Sequence, residues 1–156
     1  MCPASTVRIT VDPDMDGEKA MAIREMLRDY NARFIGRPAW VPLVLTALDC
    51  EEELVGGLVG EYGLGWLHIT MLAVAPERRR TGIGAQLIEQ AEHWARARGA
   101  LGVNLETIEF QALGFYERLG YRKFGEQVDN PPGYVRYYLE KRLDCRCPPP
   151  AVPRPR

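Results

Sequence analysis

Long apolar runs are missing from the sequence. The longest, Trp40–Leu48, is interrupted by Pro42 and Thr46 and has about half the length a membrane-spanning helix requires. No membrane segment is expected. The first ten residues, MCPASTVRIT, lack the basic start and apolar stretch of a secretory leader, so the chain is expected to be cytoplasmic. Net charge is nearly absent, at -1, which removes any general electrostatic reason to bind nucleic acid or an anionic membrane. Histidine is scarce, with only His68 and His93, and the four cysteines form no ligand pattern. Cys2 and Cys50 stand alone, and Cys145-Arg-Cys147 is one residue too tight for a CxxC pair, so no metal site is expected.

What is present is ordinary for one soluble domain: 156 residues, 46% hydrophobic and 26% charged. Val7–Val11 alternates apolar and polar side chains as a short strand would, ended by Asp12-Pro13. Ala20, Ile23, Leu27 and Tyr30 then fall on one helical face, with Asn31–Pro38 expected as a loop. Val41–Leu48 and Leu54–Tyr62 read as a hairpin with a charged, solvated tip at residues 49–53. Trp66–Val74 is almost entirely apolar, as expected for a central strand covered on both faces.

From Gly82 to Arg98 comes the clearest helix, with Ile83, Leu87, Ile88, Ala91, Trp94 and Ala95 as its stripe. Glu89, Glu92, His93 and Arg96 are expected on the opposite face, so His93 is given no role, and Gly99 ends the helix. A strand at Leu101–Glu106, a short helix through Ala112, Phe115, Tyr116 and Leu119, and strands at Lys123–Gln127 and Tyr134–Leu143 complete the pattern. This is a mixed α/β order without repeats, expected to form a single domain over residues 1–143. Five of the twelve prolines lie in the last nine positions, so residues 144–156 are expected to be a disordered Pro-rich tail. The PxxP at Pro150–Pro153 is expected to belong to that solvated end.

The segment with chemical content is Val74-Ala-Pro-Glu-Arg-Arg-Arg-Thr-Gly-Ile-Gly-Ala85, in which a strand passes through a basic turn into a glycine-rich helix start. Unpaired N–H groups at a helix N-terminus attract anions, and Gly82 and Gly84 carry no side chains to keep a pyrophosphate away. The plainer alternative is that the glycines allow close helix packing and the arginines are solvated. Other phosphate loops fit less well: a dinucleotide fingerprint needs glycine at Leu87, and a P-loop needs an absent Gly-Lys-Ser/Thr run.

These residues resemble the signature of the GNAT superfamily of N-acetyltransferases, Gln/Arg-x-x-Gly-x-Gly/Ala after a strand ending in Leu-x-Val. Here it reads Leu72-Ala-Val74 followed by Arg79-Arg-Thr-Gly82-Ile-Gly84. Phe115-Tyr116-Glu-Arg-Leu-Gly120-Tyr121 resembles the family's late helix and strand entry, and the likeness spans about residues 54–143. The resemblance implies a three-layer α/β fold: a central mixed, mostly antiparallel sheet with one splayed parallel strand pair, and helices on both faces. Acetyl-CoA would lie in that split as co-substrate. Its pantetheine arm would pair with Leu72, Ala73 and Val74, and its pyrophosphate would rest on the N–H groups of Arg79, Arg80, Thr81, Gly82, Ile83, Gly84 and Ala85.

The implied activity is transfer of acetyl to a primary amine by direct attack in a ternary complex. Tyr116 matches the family's tyrosine that protonates the departing thiolate; by spacing alone it is a core aromatic with Ala112 and Leu119. His68 lies six residues before Val74, where some histone-type members carry a glutamate base. Its ordinary pKa near 6.5 suits a base, but a hydrogen-bonded strand histidine is an equal reading, and Glu61, Glu106 or an ordered water are rivals. Residues 1–75 hold 6 basic and 11 acidic groups and residues 76–156 hold 14 and 10, which suits a cationic acceptor and an anionic cofactor. A small-molecule amine is the first choice of acceptor, and a protein lysine or N-terminus is the second. A non-catalytic acyl-CoA sensor and an interaction protein using the tail are the readings from other classes. Oligomeric state, a homodimer included, is left open.

Overall fold

The computed structural model describes residues 7–144, which fall into two units divided between Pro38 and Ala39. The expected tail, apart from Asp144, lies outside the described residues, as do Cys2, Cys145 and Cys147.

In the first unit, residues 7–14 have no regular structure, so the strand expected over Val7–Val11 does not form. Alternation marks a segment that could line a sheet, but a strand also needs a ladder partner for its N–H and C=O groups, and no described ladder includes it. Helix α1 runs over Glu18–Ile35, further than the expected boundary at Tyr30. Tyr30 and Phe34 are one turn apart with ring centroids at 5.6 Å, so the apolar stripe continues through residues expected to be loop. The stop is Gly36, at φ 69°, whose N–H bonds to the Ala32 carbonyl.

The second unit is built on a sheet of six described strands in the order β1-β2-β3-β4-β6-β5. They are β1 (Val41–Leu48), β2 (Leu54–Gly63), β3 (Trp66–Val74), β4 (Gly102–Ile108), β5 (Arg122–Val128) and β6 (Val135–Arg142). Every neighbouring pair is antiparallel except β3 and β4. Helices α2 (Ile83–Arg96) and α3 (Leu113–Arg118) pack on one sheet face, where Leu43, Leu58, Leu67, Ile69, Val103, Leu105 and Leu139 meet Leu87, Ile88, Ala91 and Ala95. Full burial of a leucine or valine contributes about 1.5–3 kcal/mol, so this layer accounts for the unit's cohesion.

Two expectations about sides are corrected. β3 is central, but within the second unit the helices cover only one of its faces: Leu67 and Ile69 are buried, whereas His68, Thr70, Met71 and Ala73 are exposed. Its register against β2 passes from Val59–Met71 to Gly60–Ile69, leaving Thr70 as the extra residue of a β-bulge. A bulge reverses the alternation, so Ile69 before it and Leu72 beyond it both join the core side, which makes the sequence look continuously apolar.

Glu92 is not on the solvent face of α2 but buried at 4% exposure. Lys141 Nζ lies 2.8 Å from both of its carboxylate oxygens, and Arg96 one turn along adds a contact at 3.2 Å. Burial of a carboxylate is tolerable only with such partners, and the pair ties α2 to β6.

Candidate functional site

The parallel ladder between β3 and β4 is short. It runs from Trp66–Gly102 to Ile69–Leu105 and stops. Beyond that rung β4 continues against β6 through Ile108, and β3 continues against β2 through Val74. The strands therefore part, leaving the β4-facing edge of residues 70–74 without a strand partner among the described residues. The fork opens where the Thr70 bulge increases the local twist of β3, and the Thr70 hydroxyl donates to the Val59 carbonyl at 3.1 Å. An unpaired strand edge offers N–H and C=O groups to an extended ligand.

Above the fork, Ala75 bonds back to the Val55 carbonyl, a short 3₁₀ turn at Pro76–Arg78 follows, and α2 begins. Gly82 is the N-cap residue at φ 90°, ψ -6°, a left-handed conformation that favours glycine, and no side chain caps the helix. The N–H groups of its first turn have no acceptor within the helix, as at any helix start. Gly84 has a different role. A Cβ there would come within 3.3 Å of Phe115 Cζ, so this glycine lets α3 approach the first turn of α2. The close-packing reading therefore holds at Gly84, while Gly82 meets a backbone demand of the helix start.

The three arginines also divide. Arg78 reaches the Asp49 carboxylate at 3.3 Å, and Arg79 Nε donates to the Val74 carbonyl at 3.2 Å. Arg80, at φ 64°, has no side-chain partner among the described residues and is exposed, which leaves its charge for an anion. Thr81 donates its hydroxyl to the Arg78 carbonyl at 2.6 Å and tightens the turn. Leu72 and Val74 are half-buried, Ala73 is exposed, and Ile83, Gly84 and Ala85 are half-buried at the helix start. The expected tip at residues 49–53 is thus partly occupied: Asp49 accepts backbone N–H bonds from Glu53 and Glu51, and these, followed by Arg78, hold its carboxyl below the usual range.

Tyr116 lies in the core cluster at 7% exposure, with its ring edge-on to Phe115 and Tyr121 at 5.0 and 5.8 Å. It is the core aromatic its spacing suggests. Burial pushes its pKa up, so the hydroxyl keeps its proton at neutral pH. Phe115 touches the Gly84 position, so the two motifs, 36 residues apart at Tyr116 and Arg80, meet in space.

His68 is exposed on the sheet face away from α2, on the rung below the point where the strands part, with Nδ1 2.6 Å from Asn104 Oδ1. Glu61 is its register partner on β2, and it has no ion-pair partner among the described residues. Glu106 is less available, because Arg136 binds its carboxylate. Asn104 was not anticipated. The alternation of β4 placed it on the polar face with Glu106, but which strand lies beside β4, and in what register, cannot be read from periodicity.

The acetyltransferase (GNAT) family matches residues 10–121. Blasticidin-S acetyltransferase of Streptomyces morookaense is 46% identical over 97 residues, covering 60% of this chain and 71% of that protein. The crystal structure of an acetyltransferase from Bacillus cereus aligns with a TM-score of 0.80 at 27% identity, over 87% of this chain and 97% of the other. A structure assigned as a streptothricin acetyltransferase of Bacillus anthracis, in complex with acetyl coenzyme A, aligns with a TM-score of 0.60 at 25% identity, over 66% and 63% of the two chains.

Proposed function

Because the chain belongs to the GNAT family of acetyltransferases, we propose that it carries acetyl from acetyl-CoA to the primary amine of a small molecule by direct attack in a ternary complex. The observation that supports this most is the fork itself. Its open strand edge, residues 70–74, leads into the uncapped, Gly82-started helix beside the unpartnered Arg80. A cofactor with an amide-containing arm and a pyrophosphate needs a peptide edge followed by an anion site, in that order. The family match across residues 10–121 also supports reading residues 1–143 as one transferase domain.

In this reading the backbone of Leu72, Ala73 and Val74 pairs with the pantetheine arm, and the N–H groups from Arg79 to Ala85 hold the pyrophosphate. An amine near pKa 10 is mostly protonated at neutral pH and cannot attack until it loses that proton. His68 takes it, leaving the nitrogen lone pair to form the new C–N bond at the thioester carbonyl. Backbone N–H groups of β3 near Val74 donate to the oxyanion. As the C–S bond breaks, the Tyr116 hydroxyl gives its proton to the departing thiolate. The raised pKa of Tyr116 makes it a weaker acid, yet a thiolate released into the same poorly solvated surroundings is a stronger base by the same cause.

A small acceptor is supported by the named substrates of the relatives, which are antibiotics. A cationic one is supported by Glu61 beside His68, which has no ion-pair partner among the described residues. The test is thiol release from acetyl-CoA with a panel of amines that includes blasticidin S, streptothricin and a lysine peptide, with products identified by mass spectrometry. An acetylated small amine supports the proposal. Acetylation confined to the peptide refutes the acceptor class, and a thermal shift with acetyl-CoA but no release from any amine refutes turnover.

A further inference from the structure

On the sheet face away from α2, polar side chains cross four strands in one row. Glu61 of β2 is paired with His68 of β3, His68 with Asn104 of β4, and Asn104 with Glu140 of β6. Asparagine is a poor strand former, yet this one occupies the interior of a strand with neighbours on both sides. Its carbonyl oxygen is 2.6 Å from His68 Nδ1. A carbonyl oxygen can only accept, so the proton of this bond belongs to Nδ1. In the neutral ring the lone pair is then on Nε2.

Resting on the reading of His68 as the base, we propose that Asn104 is a positioning residue for the acetyl transfer: it holds His68 in the Nδ1–H tautomer and so presents Nε2 as the proton acceptor. The contact sits one rung below the opening of the fork, and the β4 backbone that carries Asn104 is fixed from both sides by β3 and β6. The bond survives proton transfer, because the imidazolium donates from Nδ1 as the neutral ring does. Without Asn104 the ring can rotate, and the proton returns to the ordinarily preferred Nε2, which then has no lone pair to offer. Glu61 from β2, Glu106 with its partner Arg136, Glu140 with its partner Arg122, and Arg142 over the Trp66 ring are the charged groups around His68 on this face among the described residues of the second unit. All of them are retained in the variants below, so differences between variants report on residue 104.

The tautomer is read by ¹⁵N NMR of histidine-labelled protein, where only two imidazoles contribute and the exposed His93 on α2 serves as internal reference. The parent should show neutral His68 with a protonated Nδ1 and a bare Nε2, and Asn104→Ala should show the reverse. With Asn104→Ala, kcat/KM for the amine should fall about 10- to 100-fold while KM for acetyl-CoA holds, because a base contributes about 10²- to 10⁴-fold and only part of it is lost. Asn104→Asp should restore the Nδ1–H tautomer. By stabilising the imidazolium it should also move the acidic limb of the pH–rate profile upward by about 1 unit, because the base must be neutral to act. An Asn104→Ala enzyme with the parent's tautomer and acidic limb overturns the proposal, even if His68→Ala abolishes that limb. A His68→Ala enzyme with the parent's rate and profile overturns the base reading, and the role of Asn104 with it.

Discussion

Replacing Gly82 by aspartate separates what the glycine does for the fold from what it does for a ligand. At φ 90° and ψ -6° a side chain costs about 1 kcal/mol in backbone strain. Space is no obstacle, since a Cβ would meet nothing nearer than Gln86 Nε2 at 3.7 Å. A carboxylate at a helix N-terminus recovers about 0.3–1 kcal/mol from the helix dipole. Gly82→Asp should therefore fold with a melting temperature within about 4 °C of the parent.

Its effect on acetyl-CoA should be much larger. One pair of like unit charges at 4 Å repels by about 1 kcal/mol in water and about 4 kcal/mol at the effective dielectric of a protein surface. A pyrophosphate brings two charges, so about 3–4 kcal/mol is a reasonable middle, equivalent to roughly 100- to 1000-fold in Kd. Gly82→Ala carries the same strain without the charge and should lose less than about tenfold. Isothermal titration measures both Kd values, and the ligand-induced thermal shift checks them, because saturation at 100 Kd stabilises by about 2.7 kcal/mol. A folded Gly82→Asp protein whose Kd stays within about threefold of the parent refutes the placement of the pyrophosphate at this helix start.

Tyr116→Phe keeps the ring packing against Phe115 and Tyr121, so stopped thiol-release assays should show kcat reduced by roughly 10- to 10³-fold with little change in melting temperature; an unchanged kcat removes the hydroxyl from the chemistry. Gly102→Ala should destabilise by about 2–3 kcal/mol in chemical denaturation, because its Cβ would lie 2.4 Å from the Trp66 ring and 2.8 Å from the Lys141 carbonyl, which is backbone and cannot swing aside; a loss below about 0.5 kcal/mol contradicts the packing. Lys141→Met should cost about 3 kcal/mol by leaving the buried Glu92 carboxylate with Arg96 alone, and Glu92→Met in the same chain should recover most of it; equal stability of the single and double variants contradicts the pairing.

The parts of the fold legible in the sequence are those set by local chemistry. The stripe Ile83, Leu87, Ile88, Ala91, Trp94 and Ala95 marked α2, and Gly65, Gly99 and Gly120 sit at positive φ where elements end, whereas Gly36 does so at a helix end expected earlier, at Tyr30. The motif residues 79–85 fall at a helix start because strand, proline turn and glycine are neighbours in sequence. Glu92 was misread because a stripe has edges: residue 92 lies beside Ile88 and Ala95, four positions before and three after it, and only the arrival of Lys141 from β6, 49 residues later, decides that it is buried. The Val7–Val11 strand was expected for the opposite reason, since its alternation is clear and what it lacks is a partner, which no local pattern supplies.

His68 shows where the two kinds of information meet. From the sequence it is one polar residue in the run LHITMLAV, and periodicity carried through that run assigns the wrong face to everything past the irregularity. Without a bulge at Thr70, residues 68, 70, 72 and 74 would share one face, and Leu72 and Val74 could not join the α2 side unless His68 did so too. The extra residue lets Leu72 pack on the core while His68 remains on the open face opposite Glu61. The same bulge turns β3 away from β4 just past the Ile69–Leu105 rung, so one inserted residue lies at both the opening of the fork and the change of face between His68 and Leu72. Deleting Thr70 would therefore do more than shorten a strand. It would make the rungs Gly60–Ile69 and Val59–Met71 consecutive, leaving His68 on the open face and Leu72 on the core side, but it would remove the local twist with which β3 leaves β4.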